Sequence, residues 1–79
     1  MSRINEEIGL LLREAREKSG LSLRDVAIKV GKSYSSIHSY ETGRQGINVD
    51  VLEILCDIYG VSYLDLLSKV YYTMKLKNK

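Results

Sequence analysis

Apolar residues recur along this chain in short stripes at helical spacing, and most stripes end at a glycine. Ile4, Ile8, Leu11, Leu12 and Ala15 fall on one face of a helix predicted over Asn5 to Ser19. Asn5 is its candidate cap, Glu6 and Glu7 stand where the helix dipole favours acids, and Arg13, Arg16 and Lys18 gather toward the other end. Gly20 then stops it.

The stretch Leu21 to Gly43 predicts two short helices joined by a tight turn at Gly31. Ser22 and Asp25 have the spacing of a capping box, and Leu21 can staple onto Val26. Val26, Ala27 and Val30 point inward on the first of these helices. Ser33 opens the second and can cap the amides of Ser35 or Ser36; Ile37 is its one strongly apolar inward residue, flanked by Tyr34 and Tyr40. Serine and histidine are poor helix formers, so packing against neighbours, here the apolar faces of helices one and four, must hold this helix.

After the loop Arg44 to Ile47, Asn48 caps a fourth helix whose apolar side is Val51, Leu52, Leu55, Cys56 and Tyr59, closed by Gly60. Val61, Ser62 and Asp65 repeat the staple, cap and acid pattern. A fifth helix follows with the stripe Leu64, Leu67, Val70, Tyr71 and Met74, running past Tyr72 before a lysine-rich tail frays. The prediction is an all-α, compact five-helix bundle in a single domain over residues 1–79, with its core at about residues 4–72 and a basic tail at 73–79.

Composition changes this picture in one respect. A net charge of +2 is unremarkable, but residues 47–68 contain four acids, Asp50, Glu53, Asp57 and Asp65, and neither lysine nor arginine. The stretch around the two short helices carries Arg24, Lys29, Lys32 and Arg44 against Asp25 and Glu41. One end of the molecule is thus acidic and another basic, which suits a polyanion partner or an ordinary solvated surface. A chain this short buries only about three-fifths of its unfolded surface, so a partner subunit would stabilise it.

The chemistry of other function classes is missing from the sequence. One histidine, His38, and one cysteine, Cys56, make neither a metal-ligand cluster nor a disulfide framework, so no metal or cofactor is expected. Cys56 has helical spacing with Leu52 and Tyr59 and reads as a buried small hydrophobe. Glu6 and Glu7 are neighbours on a helix and do not face one another. With no nucleophile–base constellation and no phosphate loop, an enzyme is not expected. The start of the chain lacks a secretory profile and no apolar run is long enough for a bilayer, which predicts a cytoplasmic setting without a membrane partner.

Specific residues over about 8 to 67 then give a resemblance. Ile8-Gly9, Leu12-Arg13, Arg16, Gly20-Leu21-Ser22, Asp25-Val26-Ala27, Gly31, Ser33, Ile37, Glu41, Gly43, Leu52, Leu55, Gly60-Val61-Ser62 and Leu66-Leu67 resemble the lambda-repressor-like helix-turn-helix family, also called the Cro or Xre family. That resemblance implies a third helix lying in the DNA major groove. It implies base reading by Ser33, Tyr34, Ser35 and Ser39, with Ser36 and His38 nearer the phosphates or groove edge and Arg44 at the backbone or minor groove. It also implies an ion pair of Arg16 with Glu41; if that pair is buried, removing one partner costs about 3–5 kcal/mol. The sequence departs from the family at Leu23, where members often carry a phosphate-holding glutamine, and Arg24 beside it is the candidate substitute. It departs again at Ile47-Asn48, where members often have Pro-Ser.

Apart from the resemblance, Ser35 and Ser36 would read as ordinary exposed helix residues. Tyr34 can meet a thymine methyl or a phosphate, or pack over helix two. Serine hydroxyls both donate and accept, so they discriminate bases weakly. The expected function is a sequence-specific DNA-binding transcriptional regulator, a homodimer on double-stranded DNA with a pseudo-palindromic operator and no small-molecule ligand. Its size resembles controller proteins of restriction–modification systems and short phage repressors. Ile47, Val49, Tyr63, Leu66, Val70, Tyr71 and Met74 are the candidate dimer surface, because five short helices cannot bury them all; the tail can instead pack on its own domain. The alternative is a protein-interaction module of the same fold, an antitoxin or regulator subunit, using the acidic Asp50–Asp65 face and the last helix.

Overall fold

The computed structural model describes residues 3–77, the last of them by its backbone alone. The readings that fall on Met1, Ser2, Asn78, Lys79 and the Lys77 side chain lie outside the described residues. Within them the chain forms α1 (Arg3–Lys18), α2 (Leu23–Val30), α3 (Tyr34–Thr42), α4 (Val49–Tyr59) and α5 (Tyr63–Lys77). α1 packs most extensively on α3 and then on α5; α2 packs on α3, and α4 lies against α1 and α5. The core they share includes Leu12, Val26, Ile37, Leu55 and Cys56, all but sealed from solvent, joined by Tyr40, Leu52 and Tyr59.

The helix ends follow the predicted chemistry closely. Ser22 Oγ accepts the Asp25 amide at 2.9 Å, and the Asp25 carboxylate accepts the Ser22 amide at 2.9 Å, completing the capping box. Those hydrogen bonds to Ser22 hold the Asp25 carboxyl below its usual range. Ser33, Asn48 and Ser62 each accept the amide three residues on, at 3.1, 2.9 and 3.2 Å. Gly31 closes α2 in the left-handed region at φ 68°, and Lys32 and Ser33 alone separate it from α3.

Two glycines set how α1 meets α3. A Cβ on Gly9 would stand 2.4 Å from the Tyr40 carbonyl oxygen and 2.5 Å from that of Glu41, so the two backbones cross with no room for a side chain. Gly43, at φ 78°, closes α3 where a Cβ would fall 2.8 Å from Glu6 Cα. The first turns of α1 therefore rest directly on the end of α3.

Several expectations need correction. α1 begins at Arg3, so Asn5 lies within the helix and its side chain faces Gly46 rather than capping; Ile4, a turn before the core begins, is half exposed. On α5 the buried residues are Leu66 and Val70, one turn apart. That phase carries Leu64 and Tyr71 to the outside, because each residue advances about 100° round the axis. Leu66 and Val70 are thereby part of this chain's own core and are not available as dimer surface. α5 runs past Tyr72 as far as Lys77, into the residues assigned to the basic tail, and the helices packed most extensively on α3 are α1 and α2.

Candidate nucleic-acid interface

α3 is polar by composition and still well fixed in place. Ile37 and Tyr40 enter the core, and Glu41 in its last turn is buried against α1. Arg16 grips that carboxylate with both arms of its guanidinium, Nε to Oε2 at 2.7 Å and Nη2 to Oε1 at 3.1 Å. Its remaining arm donates to the Leu21 carbonyl at 2.9 Å, which also ties down the segment entering α2. The hydrogen bonds that Arg16 donates to the Glu41 carboxylate raise the Arg16 pKa further above its already high ordinary value. The ion pair expected of Arg16 and Glu41 is thus formed, bidentate and buried.

With one side held in this way, the other side of α3 faces solvent. Tyr34, Ser35 and His38 are exposed, and so is Ser33 at the cap. Ser36 and Ser39 are half-buried. The Ser36 hydroxyl accepts from Ser33 Oγ at 3.0 Å, so part of its capacity serves the cap. The Ser39 carbonyl receives the amides of Arg44 and Gln45 at 3.1 and 3.3 Å, which turns the chain out of the helix. Arg24 at the start of α2, Lys32 in the turn and Arg44 just past α3 are all exposed, so cations stand at the ends of the elements flanking α3. α3 itself has no acid in its first turn, and its one carboxylate is the Glu41 already neutralised by Arg16.

The remaining candidates divide. Val49 and Tyr71 of the expected dimer surface are exposed, at 61% and 59%; Ile47, Tyr63 and Met74 are partly buried against the core. The Tyr71 ring meets Tyr72 edge-on at 5.6 Å between centroids, and Lys75 Nζ lies 6.0 Å from its centre. Cys56 is buried, as its spacing indicates, and burial pushes its thiol pKa up. Among the described residues no helix is long and apolar enough to cross a membrane, and no group of histidine, cysteine and acid side chains could hold a metal ion.

Three features were not anticipated from the sequence. Gly9 belongs to the motif that gives the resemblance, but its reason, backbone against backbone, is visible only in three dimensions. Tyr59 Oη is buried without a hydrogen bond, close enough to Arg16 and Glu41 to feel both charges, and its pKa is pushed up to about 12, chiefly by burial. Arg13 lines a hollow with Leu23, Tyr34 and His38 that helical spacing on α1 alone does not connect to α3.

Comparison with known proteins bears directly on this geometry. The family model described as a helix-turn-helix domain matches residues 7–68. A Thermococcus kodakarensis protein named for an HTH-type transcriptional regulatory role is 44% identical over 57 residues, covering 72% of this chain and 17% of that protein. A similarly named Saccharolobus islandicus protein is 38% identical over 50 residues, covering 63% and 16%. The chain therefore spans about a sixth of the length of these curated relatives. Among solved structures, the clp gene regulator ClgR from Corynebacterium glutamicum superposes with a TM-score of 0.84 at 28% identity, over 95% of this chain and 80% of that one. The DNA-binding domain of S. venezulae BldD gives 0.72 at 34% identity, over 82% and 97%.

Proposed function

The chain belongs to the helix-turn-helix domain family, a DNA-binding class of transcription regulators, and from that membership we propose that it is a sequence-specific regulator working as a homodimer on a pseudo-palindromic operator. The observation that carries this reading is the two-sided character of α3. One side is locked to α1 by Arg16 and Glu41, and the other presents Tyr34, Ser35 and His38 to solvent between exposed cations. A helix held rigidly along one edge can enter the major groove without losing further conformational freedom, and the flanking cations meet phosphates that fix its register.

Ser33, Tyr34, Ser35 and Ser39 read base edges, Tyr34 through its ring against a thymine methyl so that its hydroxyl is left for the backbone, and Arg24, Lys32, Ser36, His38 and Arg44 contact the backbone. Serine reads bases weakly, so one copy binds with little discrimination and a second copy, on a half-site about 10 bp away or a multiple of it, supplies the rest. Exposed apolar side chains on α5, namely Leu64, Tyr71, Tyr72 and Leu76, support a second copy meeting the first along that helix.

The decisive experiment is selection of bound sequences from a random duplex pool, followed by titration of the winner at two salt concentrations. The expected result is a motif with two-fold symmetry whose affinity falls steeply as salt rises. Absence of binding to any duplex at low salt would refute DNA regulation and leave the protein-interaction module as the function of the fold. An asymmetric motif would retain DNA binding and refute the homodimer.

A further inference from the structure

A hollow of about 290 Å³ runs along one flank of α3, between it, the second half of α1 and the first residue of α2. Three of its lining residues are already committed. Arg16 and Glu41 satisfy each other, and the Thr42 hydroxyl donates toward the His38 and Ser39 carbonyls at 3.0 and 3.3 Å. The other polar residues lining it are Arg13, Tyr34 and His38, whose side chains all carry hydrogen-bond donors.

Arg13 pairs with Glu17 at 3.4 Å across an exposed surface, an attraction that solvent makes weak. No carboxylate but the paired Glu41 lines the hollow. The hollow is therefore lined by three residues with donors to spare, has two arginines against one carboxylate in its lining, and takes Leu23 as its aliphatic member. Its chemistry selects a small oxyanion.

We propose that Arg13, Tyr34 and His38 form a cradle for one DNA backbone phosphate, flanking the bases that α3 reads. This rests on the DNA-binding reading above, which brings a phosphodiester strand past the flank of α3. Arg13 comes from α1, so the cradle ties the helix that braces α3 to the same strand of DNA.

The test is the salt dependence of binding to a fluorescent duplex of random sequence, between about 50 and about 200 mM salt. Arg13→Gln is expected to weaken binding to every sequence alike and to lower the slope of log affinity against log salt by about one. Arg13→Lys, which keeps the charge, is expected to hold the wild-type slope. Tyr34→Phe is expected to lower affinity with the slope unchanged, since no charge is lost. Lys69→Gln removes a charge from the hollow between α1 and α5, away from α3, and is expected to leave the slope alone. A wild-type slope in Arg13→Gln, or a lowered one in Arg13→Lys, overturns the cradle while DNA binding stands. A wild-type protein without salt-dependent binding overturns the reading beneath it.

Discussion

Tyr59 is the residue whose surroundings most constrain its chemistry. Its hydroxyl is buried beside a paired arginine and glutamate but bonds to neither, and its pKa rises from an ordinary 10.0 to about 12. Below pH 10 the group is neutral in both the folded and unfolded chain and contributes nothing to pH dependence. Between pH 10 and about 12 the unfolded chain releases the proton while the folded chain retains it, so rising pH favours unfolding. The loss attributable to this group is on the order of 2 kcal/mol once pH exceeds the folded value. Denaturant melts across that range should show Tyr59→Phe losing less stability than the wild type. An identical alkaline decline in both proteins would mean that the hydroxyl reaches solvent. Removal of an unpaired buried hydroxyl should also leave Tyr59→Phe at least as stable as wild type near neutral pH.

At the scale of elements, the contact of α1 with α3 determines where α3 can point. Gly9 permits the crossing, and a methyl there would occupy the space of two carbonyl oxygens that belong to backbone and cannot rotate aside. Gly9→Ala must push the helices apart, which is expected to cost about 1–3 kcal/mol or more. In a domain of this size that lowers the melting temperature by roughly 4–8 °C per kcal/mol. A melt unchanged from wild type would show that α1 can slide on α3 at no cost. Elements were the most legible level of the sequence. Helix stripes and Ser, Asn and Gly signals are local, so caps at Ser22, Ser33 and Asn48 and the stop at Gly31 were readable from neighbours a few residues apart. The phase of α5 was less so, because Leu64, Leu67 and Tyr71 form as good a stripe as Leu66 and Val70 until α1 and α4 choose between them.

For the whole molecule, the resemblance carried the Arg16–Glu41 pair across 25 residues of chain, which no local pattern could do. The hollow holding Arg13 near Tyr34 and His38 stayed hidden because it is assembled from three helices, and nothing in the spacing along α1 distinguishes Arg13 from any solvated arginine. The candidate dimer residues divide for the same reason: apolar residues in excess of a small core are identifiable from the sequence, but which of them the core takes is not. With Leu66 and Val70 inside, Tyr71 becomes the most direct probe of self-association. Tyr71→Glu is expected to shift sedimentation from dimer to monomer at equal concentration while the circular dichroism melt is retained. A dimer unaffected by that charge would place the contact elsewhere.

The part of α5 beyond Val70 has one consequence of its own. Its last turns carry Tyr71, Tyr72 and Leu76 exposed, with only Thr73 and Met74 partly covered, so little of its own domain holds them helical. An isolated stretch of that length is marginal in water. If a second copy lies along it, those turns gain their order from the encounter, and their amide protons exchange slowly only when the concentration is high enough for pairing. The last turns of α5 would then act as a gauge of abundance: scarce protein leaves them opening and closing independently of the core, and plentiful protein shuts them.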